Sequence, residues 1–208
     1  MGMFITLEGV DGSGKTTVAK ALVEILENGG YDVLYTREPG GNKIAESIRS
    51  IALDTSNIDM DARTEALLYA AARRQHLVDV IEPALQAKKI VICDRFIDSS
   101  IAYQGYARKI GYELVEYIND FAIAGIRPDL TFLIDVKPEV GLERISKDKN
   151  REINRLDLEE VEFHQAVYNG YQELAEKYGA RIKVIDGERP AVEIVADIYQ
   201  MIKLRIIL

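Results

Sequence analysis

Cysteine and long apolar runs are scarce in this sequence of 208 residues, and basic side chains are fewer than acidic ones. Its single cysteine, Cys93, lies in the apolar run of residues 90–93, so no disulfide forms within the chain and a reducing, cytoplasmic location is expected. Lys and Arg number 26 against 34 Asp and Glu, and the net charge of −8 argues against non-specific nucleic-acid binding. No apolar run approaches the roughly 20 residues that span a bilayer, and no signal-peptide pattern is evident, so no membrane attachment is expected.

What the sequence does contain is a regular alternation of strand-like and helix-like segments. Short apolar runs predict five strands, at residues 3–8, 31–36, 89–93, 129–135 and 181–186. Apolar residues at helical spacing predict helices at 15–28, 42–53, 61–87 with a kink at Pro83, 98–106, 111–124, 138–146, 157–178 and after Pro190. This alternation is typical of a three-layer α/β fold, a five-stranded parallel sheet flanked by helices. We expect one domain over residues 1–208, with ligands at the carboxyl ends of the strands.

A charged segment, residues 147–156 (KDKNREINRL), separates two of the predicted helices. Its composition is typical of an exposed surface loop rather than of a core element. We therefore predict a mobile lid loop over about these residues.

The segment GVDGSGKT, Gly9 to Thr16, matches the phosphate-loop pattern G-x-x-x-x-G-K-[ST] between a predicted strand and a predicted helix. Glycines let backbone N–H groups turn towards phosphate oxygens, and the N-terminus of the following helix favours negative charge. Lys15 is expected to reach the β- and γ-phosphates and Thr16 to coordinate Mg²⁺. The pattern predicts a P-loop NTPase-type fold, with ATP bound by Gly9, Val10, Asp11, Gly12, Ser13, Gly14, Lys15, Thr16 and Thr17.

Two arginines at the ends of neighbouring strands predict a second anion site. Arg37 follows the second predicted strand and Arg95 the third, so both lie on the same edge of the sheet as the phosphate loop. Guanidinium groups there bind a phosphate through two parallel hydrogen bonds. Asp94 is placed to hold the water shell of Mg²⁺ or to orient the attacking oxygen. The alternative is that Asp94 and Arg95 merely pair with each other on the surface.

The rest of the sequence narrows the class of nucleotide-binding protein. A regulatory GTPase carries an Asn-Lys-x-Asp guanine reader, but Asn42-Lys43 is followed by Ile44 and Ala45. A motor or transport ATPase usually needs a larger chain or partner domains. A small kinase needs two facing phosphate-binding sites, and the pattern predicts such a pair.

Six motifs carry a resemblance to the thymidylate kinase family of nucleoside-monophosphate kinases: EGVDGSGKTT, TREPGG, EALLYAAARRQH, DRFIDSSIAYQG, PDLTFLIDV and NRLD. The resemblance covers essentially the whole chain. It implies transfer of the γ-phosphoryl group of ATP to dTMP in dTTP biosynthesis, with Mg²⁺ as cofactor, in a homodimer formed by helices away from the cleft. Two alternatives stay open: another nucleoside-monophosphate or deoxynucleoside kinase on the same scaffold, and a non-catalytic P-loop regulator.

The resemblance also implies roles around the sugar and phosphate of the acceptor nucleotide. Asp11 would accept a hydrogen bond from the 3′-hydroxyl, and Tyr103 would pack against the sugar and exclude a 2′-hydroxyl. Arg37 and Arg95 would hold the thymidylate phosphate. Arg95, Asp94 and Lys15 are accordingly predicted to be catalytic.

A further set of side chains is implied at the thymine base. Tyr69 would stack on the ring, where the family commonly has Phe, and its hydroxyl then needs water or a partner. Arg73, one helical turn later, would donate to the carbonyl O4. Gln104 offers a donor and an acceptor to the N3–H and O4 edge, and Ser100 would assist it.

The source of the catalytic lid arginine is inferred from a departure in the phosphate loop. One branch of the family has an arginine where this chain has Gly12, and in the other branch the lid supplies it. The resemblance therefore implies Arg151 together with Arg155. Arg144, at the start of the lid, is predicted to stack on adenine, and His76 is interpreted as an ordinary helix residue.

Overall fold

The computed structural model describes residues 2–148 and 153–207 of the chain. Five parallel strands form one sheet in the order β2-β3-β1-β4-β5: β1 Met3–Glu8, β2 Val33–Arg37, β3 Ile90–Asp94, β4 Leu130–Asp135 and β5 Ile182–Asp186. Strands β1, β3 and β4 are buried over almost their whole length, because helices cover both faces of the sheet. The predicted three-layer fold and parallel sheet are confirmed.

Nine α-helices are present in the described part of the chain: α1 Lys15–Asn28, α2 Lys43–Leu53, α3 Ala62–His76, α4 Glu82–Gln86, α5 Ile97–Ser100, α6 Tyr112–Ile123, α7 Pro138–Lys147, α8 Val161–Lys177 and α9 Ala191–Ile207. Side-chain caps begin two of them. The Asn42 side chain accepts from Ala45 N–H at α2, and the Asp61 side chain accepts from Arg63 and Thr64 N–H at α3. None of the described helices is both long and apolar enough to cross a bilayer.

The core lies on both faces of the sheet. On one face, α1, α8 and α9 pack on the strands through Leu22, Leu26, Val167, Tyr171, Ile198 and Ile202. On the other face, Phe4 and Val91 meet Leu77, Ile81, Leu85 and Ile123. Both groups are almost fully buried, so the strand ends that carry polar residues are held rigidly.

Three predicted helices differ from the structure. The helix predicted over 61–87 is interrupted by a π-helical segment, Leu77–Ile81, and Pro83 lies in the first turn of α4, where its missing N–H is tolerated. The predicted helix 98–106 is the short α5 followed by a π-helical segment, Ile101–Ala107. Helix α8 begins at Val161, after a 3₁₀ turn at Arg155–Leu158.

The strand register brings three functional segments to one edge of the sheet. Asp94 at the end of β3 pairs with Leu7 of β1 on one side and with Arg37 of β2 on the other. The loop after β1, the end of β2 and the turn after β3 therefore emerge side by side. This edge is where ligands are bound in open α/β sheets.

Candidate active site

The phosphate loop, residues 9–14, turns tightly between β1 and α1 and lies against the start of α7. Gly12 has a φ of +74°, and a Cβ atom there would lie 2.1 Å from the carbonyl oxygen of Gly141. A side chain at position 12 would collide with that backbone, so the glycine is required by close packing as well as by its dihedral angle. This packing agrees with the absence of an arginine from the loop.

Lys15, the first residue of α1, folds back over the loop. Its Nζ donates to Val10 O at 2.7 Å and to Ser13 Oγ at 3.2 Å, and the side chain is buried. Burial, with the positive charge of Arg95 as the next cause, lowers the pKa of Lys15 to about 8. An anionic phosphate at this position would favour the charged form.

Thr16 and Asp94 join the start of α1 to the end of β3. Thr16 Oγ1 donates to Asp94 Oδ2 at 2.5 Å. The two oxygens lie beside Lys15 and line the same cavity. No group of three or more His, Cys, Asp or Glu side chains placed to hold a metal is present among residues 2–148 and 153–207.

Arg95 lies at the centre of the polar network, in the turn after β3. Its guanidinium donates to Gly9 O at 3.0 Å, Tyr171 Oη at 3.0 Å and Asp11 Oδ1 at 2.7 Å. Its φ of +73° is the left-handed conformation that a non-glycine residue adopts only when its surroundings enforce it. The carboxylate partner of Arg95 is Asp11, not Asp94, so the structure does not favour the simple surface pair considered above.

Two adjoining cavities open at this edge of the sheet. The loop cavity, about 460 Å³, is lined by the phosphate loop with Lys15, Thr16, Asp94, Arg37 and Arg144. The α3 cavity, about 140 Å³, is lined by Tyr69, Arg73, Ser100, Tyr103 and Gln104. Asp11, Glu38, Arg49 and Arg95 line both.

The polar side chains of the α3 cavity are held by further hydrogen bonds. Tyr103 Oη donates to Asp11 Oδ2 at 2.7 Å, and Gln104 Nε2 donates to Glu65 Oε1 at 2.7 Å. The Tyr69 ring is buried in the wall, and burial raises the pKa of its hydroxyl. The wall therefore combines aromatic faces with fixed donors and acceptors, as small-molecule sites do.

Arg73, in this wall, has four hydrogen-bond partners. Its Nε donates to Glu38 Oε2 at 2.7 Å, Nη1 donates to Ser100 Oγ at 2.9 Å and to Asn119 Oδ1, and Nη2 donates to Phe96 O at 3.0 Å. The guanidinium has five N–H groups, and these bonds fix its plane at the edge of the cavity.

The chain matches known proteins over nearly its whole length. A family model described as thymidylate kinase matches residues 7–198. A thymidylate kinase of Clostridium novyi (strain NT) is 54% identical over 202 residues, 97% of this chain and 98% of that protein. A thymidylate kinase of Halalkalibacterium halodurans is 56% identical over 205 residues, 99% of this chain and 98% of that protein. The chain belongs to the thymidylate kinase family.

A solved structure from the same family has the same architecture. The crystal structure of thymidylate kinase from Ehrlichia chaffeensis is 38% identical to this chain, with a TM-score of 0.77 and coverage of 97% of this chain and 98% of that one. The resemblance found in the sequence is confirmed, and so are the P-loop fold and the kinase class.

Most residues that the resemblance to the thymidylate kinase family assigns to the acceptor are brought together. Those that line the α3 cavity are Asp11, Tyr69, Arg73, Arg95, Ser100, Tyr103 and Gln104. Arg37 lies beside them in the loop cavity, where its guanidinium pairs with Glu46 at 2.9 Å and its side chain is 41% exposed. Arg144 also lines the loop cavity and donates to Gly187 O at 3.3 Å.

The lid differs from its prediction. Arg155 was expected to be exposed, but it is 3% exposed, its Nε donates to Ala52 O at 3.0 Å and its guanidinium pairs with the buried Glu65. Among the described residues that line the two cavities, Asn154 and Leu156 are present and Arg155 is not. The buried carboxylate of Glu65 explains the difference, because it needs cationic partners. Arg151 lies outside the described residues.

Two residues that line the cavities or contact their lining were missed in the sequence. Arg49 donates to Pro39 O at 3.1 Å and lines both cavities. Its position in the helix could have indicated this role. Ala45 and Ala52 of α2 are buried, and Arg49, at helical spacing from both, lies on the same side of the helix. Burial, with the charge of Arg37 next, lowers the pKa of Arg49.

Glu65 was also missed, and so was the contact between His76 and Glu38. Glu65 is fully buried and accepts from Gln104, Arg108 and Arg155. His76 was interpreted as an ordinary helix residue because no carboxylate lies near it in the sequence; it is the last residue of α3, and its Nδ1 lies 3.0 Å from Glu38 Oε1. No local pattern predicts this contact, since the two residues are 38 positions apart.

Proposed function

We propose that this chain transfers the γ-phosphoryl group of ATP to dTMP, giving dTDP and ADP. The observation that supports this most directly is that the loop cavity and the α3 cavity share four lining residues and so adjoin. An oxygen of the acceptor phosphate attacks the γ-phosphorus while the bond to the β,γ-bridging oxygen breaks, and ADP leaves with that oxygen. No side chain acts as a nucleophile.

The loop cavity is the proposed donor site. Backbone N–H groups of the phosphate loop and the N-terminus of α1 would bind the ATP phosphates, with Lys15 at the β- and γ-phosphates. Thr17 lines the same cavity. Arg144 also lines it, and there it would stack on adenine.

Mg²⁺ is the proposed cofactor, and Thr16 and Asp94 fit it. Mg²⁺ in nucleotide sites is commonly held by one or two protein oxygens together with substrate phosphates and waters. Thr16 Oγ1 and Asp94 Oδ2, 2.5 Å apart, provide such oxygens beside the phosphate loop. When bound, the ion would neutralise charge on the phosphates, while Thr16 and Asp94 keep it in register with the end of β3.

The α3 cavity is the proposed acceptor site. The Tyr69 ring would stack on thymine, and Arg73, Gln104 and Ser100 would read its polar edge. A hydrogen bond to Glu38 already orients Arg73, and one to Glu65 orients Gln104. Tyr103, bonded to Asp11, would pack against deoxyribose and leave Asp11 to accept from the 3′-hydroxyl.

The acceptor phosphate would lie where the two cavities meet. Arg95 lines both cavities there, and Arg37 borders the loop cavity. Their charges are paired with Asp11 and Glu46. Holding the acceptor phosphate and ATP in line removes about 7–11 kcal/mol of the barrier.

The lid is proposed to complete the site during transfer. A positioned arginine on the moving phosphoryl group contributes about 10³-fold or more, and Arg151 is our candidate for it. Arg155 would act with it only if its pairing with Glu65 were released, so we expect Arg155 to anchor the end of the lid instead.

An acceptor panel tests the proposal. ADP formation from ATP is followed with dTMP, dUMP, dCMP, dGMP and thymidine as acceptors. We expect ADP formation to depend on the acceptor and kcat/KM to be highest for dTMP. Preference for another monophosphate would favour a different nucleoside-monophosphate kinase, and preference for thymidine a deoxynucleoside kinase. ATP binding without acceptor-dependent ADP formation would favour a regulator.

A homodimer is proposed from an exposed apolar face outside the cavities. Helix α6 presents Leu114, Tyr117 and Phe121 on one side, with Phe121 86% exposed, and Leu67 of α3 is exposed as well. The α6 residues recur at helical spacing, and α3 packs against α6. A second copy of this chain would cover such a face.

The lone buried Cys93 supports a cytoplasmic location.

A further inference from the structure

A buried chain of hydrogen bonds runs from β2 to the wall of the α3 cavity. His76, the last residue of α3, is fully buried, and its Nε2 lies 2.6 Å from Thr36 Oγ1 while its Nδ1 lies 3.0 Å from Glu38 Oε1. The other carboxylate oxygen of Glu38 accepts from Arg73 Nε at 2.7 Å. The His76 imidazole and the Arg73 guanidinium are therefore linked through the carboxylate of Glu38.

The surroundings leave the imidazole little freedom. Gly41 approaches it so closely that a Cβ atom at that position would lie 2.5 Å from the ring. Both ring nitrogens are engaged, and a carboxylate paired with arginine accepts hydrogen bonds only, so Nδ1 carries the proton that faces Glu38. The ring is thus fixed in position and in the nitrogen that donates.

Glu38 in turn depends on His76. It lies in the segment after β2, between the two cavities, and its side chain is 3% exposed. A buried carboxylate is held in one orientation by the donors around it. With His76 on one oxygen and Arg73 on the other, rotation of the carboxyl group would break both contacts.

We propose that His76 is a positioning residue for acceptor recognition: it fixes Glu38, and Glu38 fixes the plane of the Arg73 guanidinium at the α3 cavity. This inference rests on the proposed contact between Arg73 and the O4 edge of the acceptor base. His76 lines neither cavity in the described part of the chain, so its effect on substrate is indirect.

Two substitutions separate the roles of the two ring nitrogens. In His76→Asn the side-chain amide reaches the place of Nδ1 and can still donate to Glu38. In His76→Gln the amide reaches the place of Nε2 and meets Thr36 instead. Both variants remove the ring and leave a similar space, so a purely structural role predicts similar kinetics for the two.

The readout is steady-state KM and kcat for dTMP and for ATP, together with the preference for dTMP over dCMP, which carries an amino group instead of O4. We expect His76→Gln to raise the KM for dTMP about tenfold and to weaken that preference, with the KM for ATP unchanged. His76→Asn should stay within about twofold of the wild type. Thr36→Val, which removes only the contact with Nε2, should do the same.

The result that would overturn the inference is an equal KM for dTMP in the two His76 variants. If His76→Gln does not fold, Glu38→Gln tests the same link, since its amide offers only one acceptor oxygen to two donors, His76 Nδ1–H and Arg73 Nε–H. A wild-type KM for dTMP there would also overturn the inference. Arg73→Ala distinguishes a failure of the proposed base contact from a failure of the positioning role of His76. An unchanged KM in Arg73→Ala contradicts the proposed base contact, whereas a raised KM there with no effect of His76→Gln contradicts only the positioning role.

Discussion

The Arg95 guanidinium donates to Asp11 Oδ1 at 2.7 Å, and this pair joins the turn after β3 to the phosphate loop. Asp11 also accepts from Tyr103, so the same carboxylate connects the donor side of the site to the acceptor side. Because both members of the pair line both cavities, a change at either should affect the use of both substrates.

Lys15→Ala should strongly reduce turnover with every acceptor. Lys15 folds over the phosphate loop, and removing one preorganised donor to a reacting phosphate commonly lowers kcat by about 10²–10³-fold. Initial rates with dTMP and dUMP measure the effect. Lys20→Ala, an exposed substitution in the same helix, is the control and should keep kcat. A Lys15→Ala variant that retains kcat would contradict the assigned donor site.

Gln104→Ala should weaken the preference for dTMP over dCMP. Loss of a polar contact to the base edge changes discrimination by about 1–3 kcal/mol, which is roughly 5- to 150-fold in the ratio of kcat/KM values. Gln75→Ala, a substitution on α3 away from the cavity, serves as the control. Unchanged discrimination in Gln104→Ala would remove it from the base-reading residues.

Arg73→Ala should reduce the same preference and also destabilise the protein. Removing the guanidinium leaves Glu38 buried without its arginine, which costs about 3–5 kcal/mol. Urea unfolding gives the loss of stability, and competition between dTMP and dCMP gives the loss of preference. Arg74→Ala, at the next and exposed position, should change neither quantity; equal effects in the two variants would argue against a specific role for Arg73.

The stability of the protein should fall as pH rises through about 7 because of Glu8. Burial, and next the negative charge of Asp98, raises the pKa of Glu8 from 4.5 to about 7. Below pH 4.5 both the folded and the unfolded states are protonated at Glu8. Between pH 4.5 and pH 7 only the folded state keeps the proton on Glu8, so the free energy of unfolding falls as pH rises. The total loss is about 3 kcal/mol once the pH is above about 7.

Glu8→Gln isolates that contribution, because glutamine does not titrate. The free energy of unfolding of the variant relative to the wild type should increase by about 3 kcal/mol between pH 4.5 and pH 7.5. Denaturant unfolding at several pH values measures it. Parallel pH profiles of the two proteins would show that Glu8 does not titrate in this range.

Phe121→Lys should convert the proposed dimer into a monomer. The substitution places a charge in the middle of the exposed α6 face, and a lysine buried at an interface without a partner is strongly unfavourable. Light scattering after gel filtration gives the mass. Val192→Lys, at a similarly exposed apolar position on α9, should leave the dimer intact. A wild-type protein that is monomeric at micromolar concentration would contradict the dimer itself.

The parts of the site that were predicted from the sequence are those with local patterns. The phosphate loop, with Lys15 and Thr16, was predicted because its pattern lies in eight consecutive residues. Arg37 and Arg95 were placed on one edge because parallel strands align their carboxyl ends, and the register confirms it. Resemblance to the family then supplied the expected roles of the α3 residues.

The parts that were not predicted depend on contacts between distant positions. Glu65 meets Arg155 across 90 residues, and this buried pair makes Arg155 part of the interior instead of the exposed lid. The contact between His76 and Glu38 exists only because α3 ends beside the segment after β2. A sequence pattern indicates which face of α3 is apolar, but it does not indicate which loop packs there.

The central claim is that donor and acceptor bind at the same time in the two adjoining cavities. A compound in which adenosine and thymidine are joined 5′ to 5′ through five phosphates would span both, so its inhibition pattern is the most direct measurement. We predict competitive inhibition against ATP and against dTMP, with one inhibition constant. Competition with only one of the two substrates would contradict the arrangement.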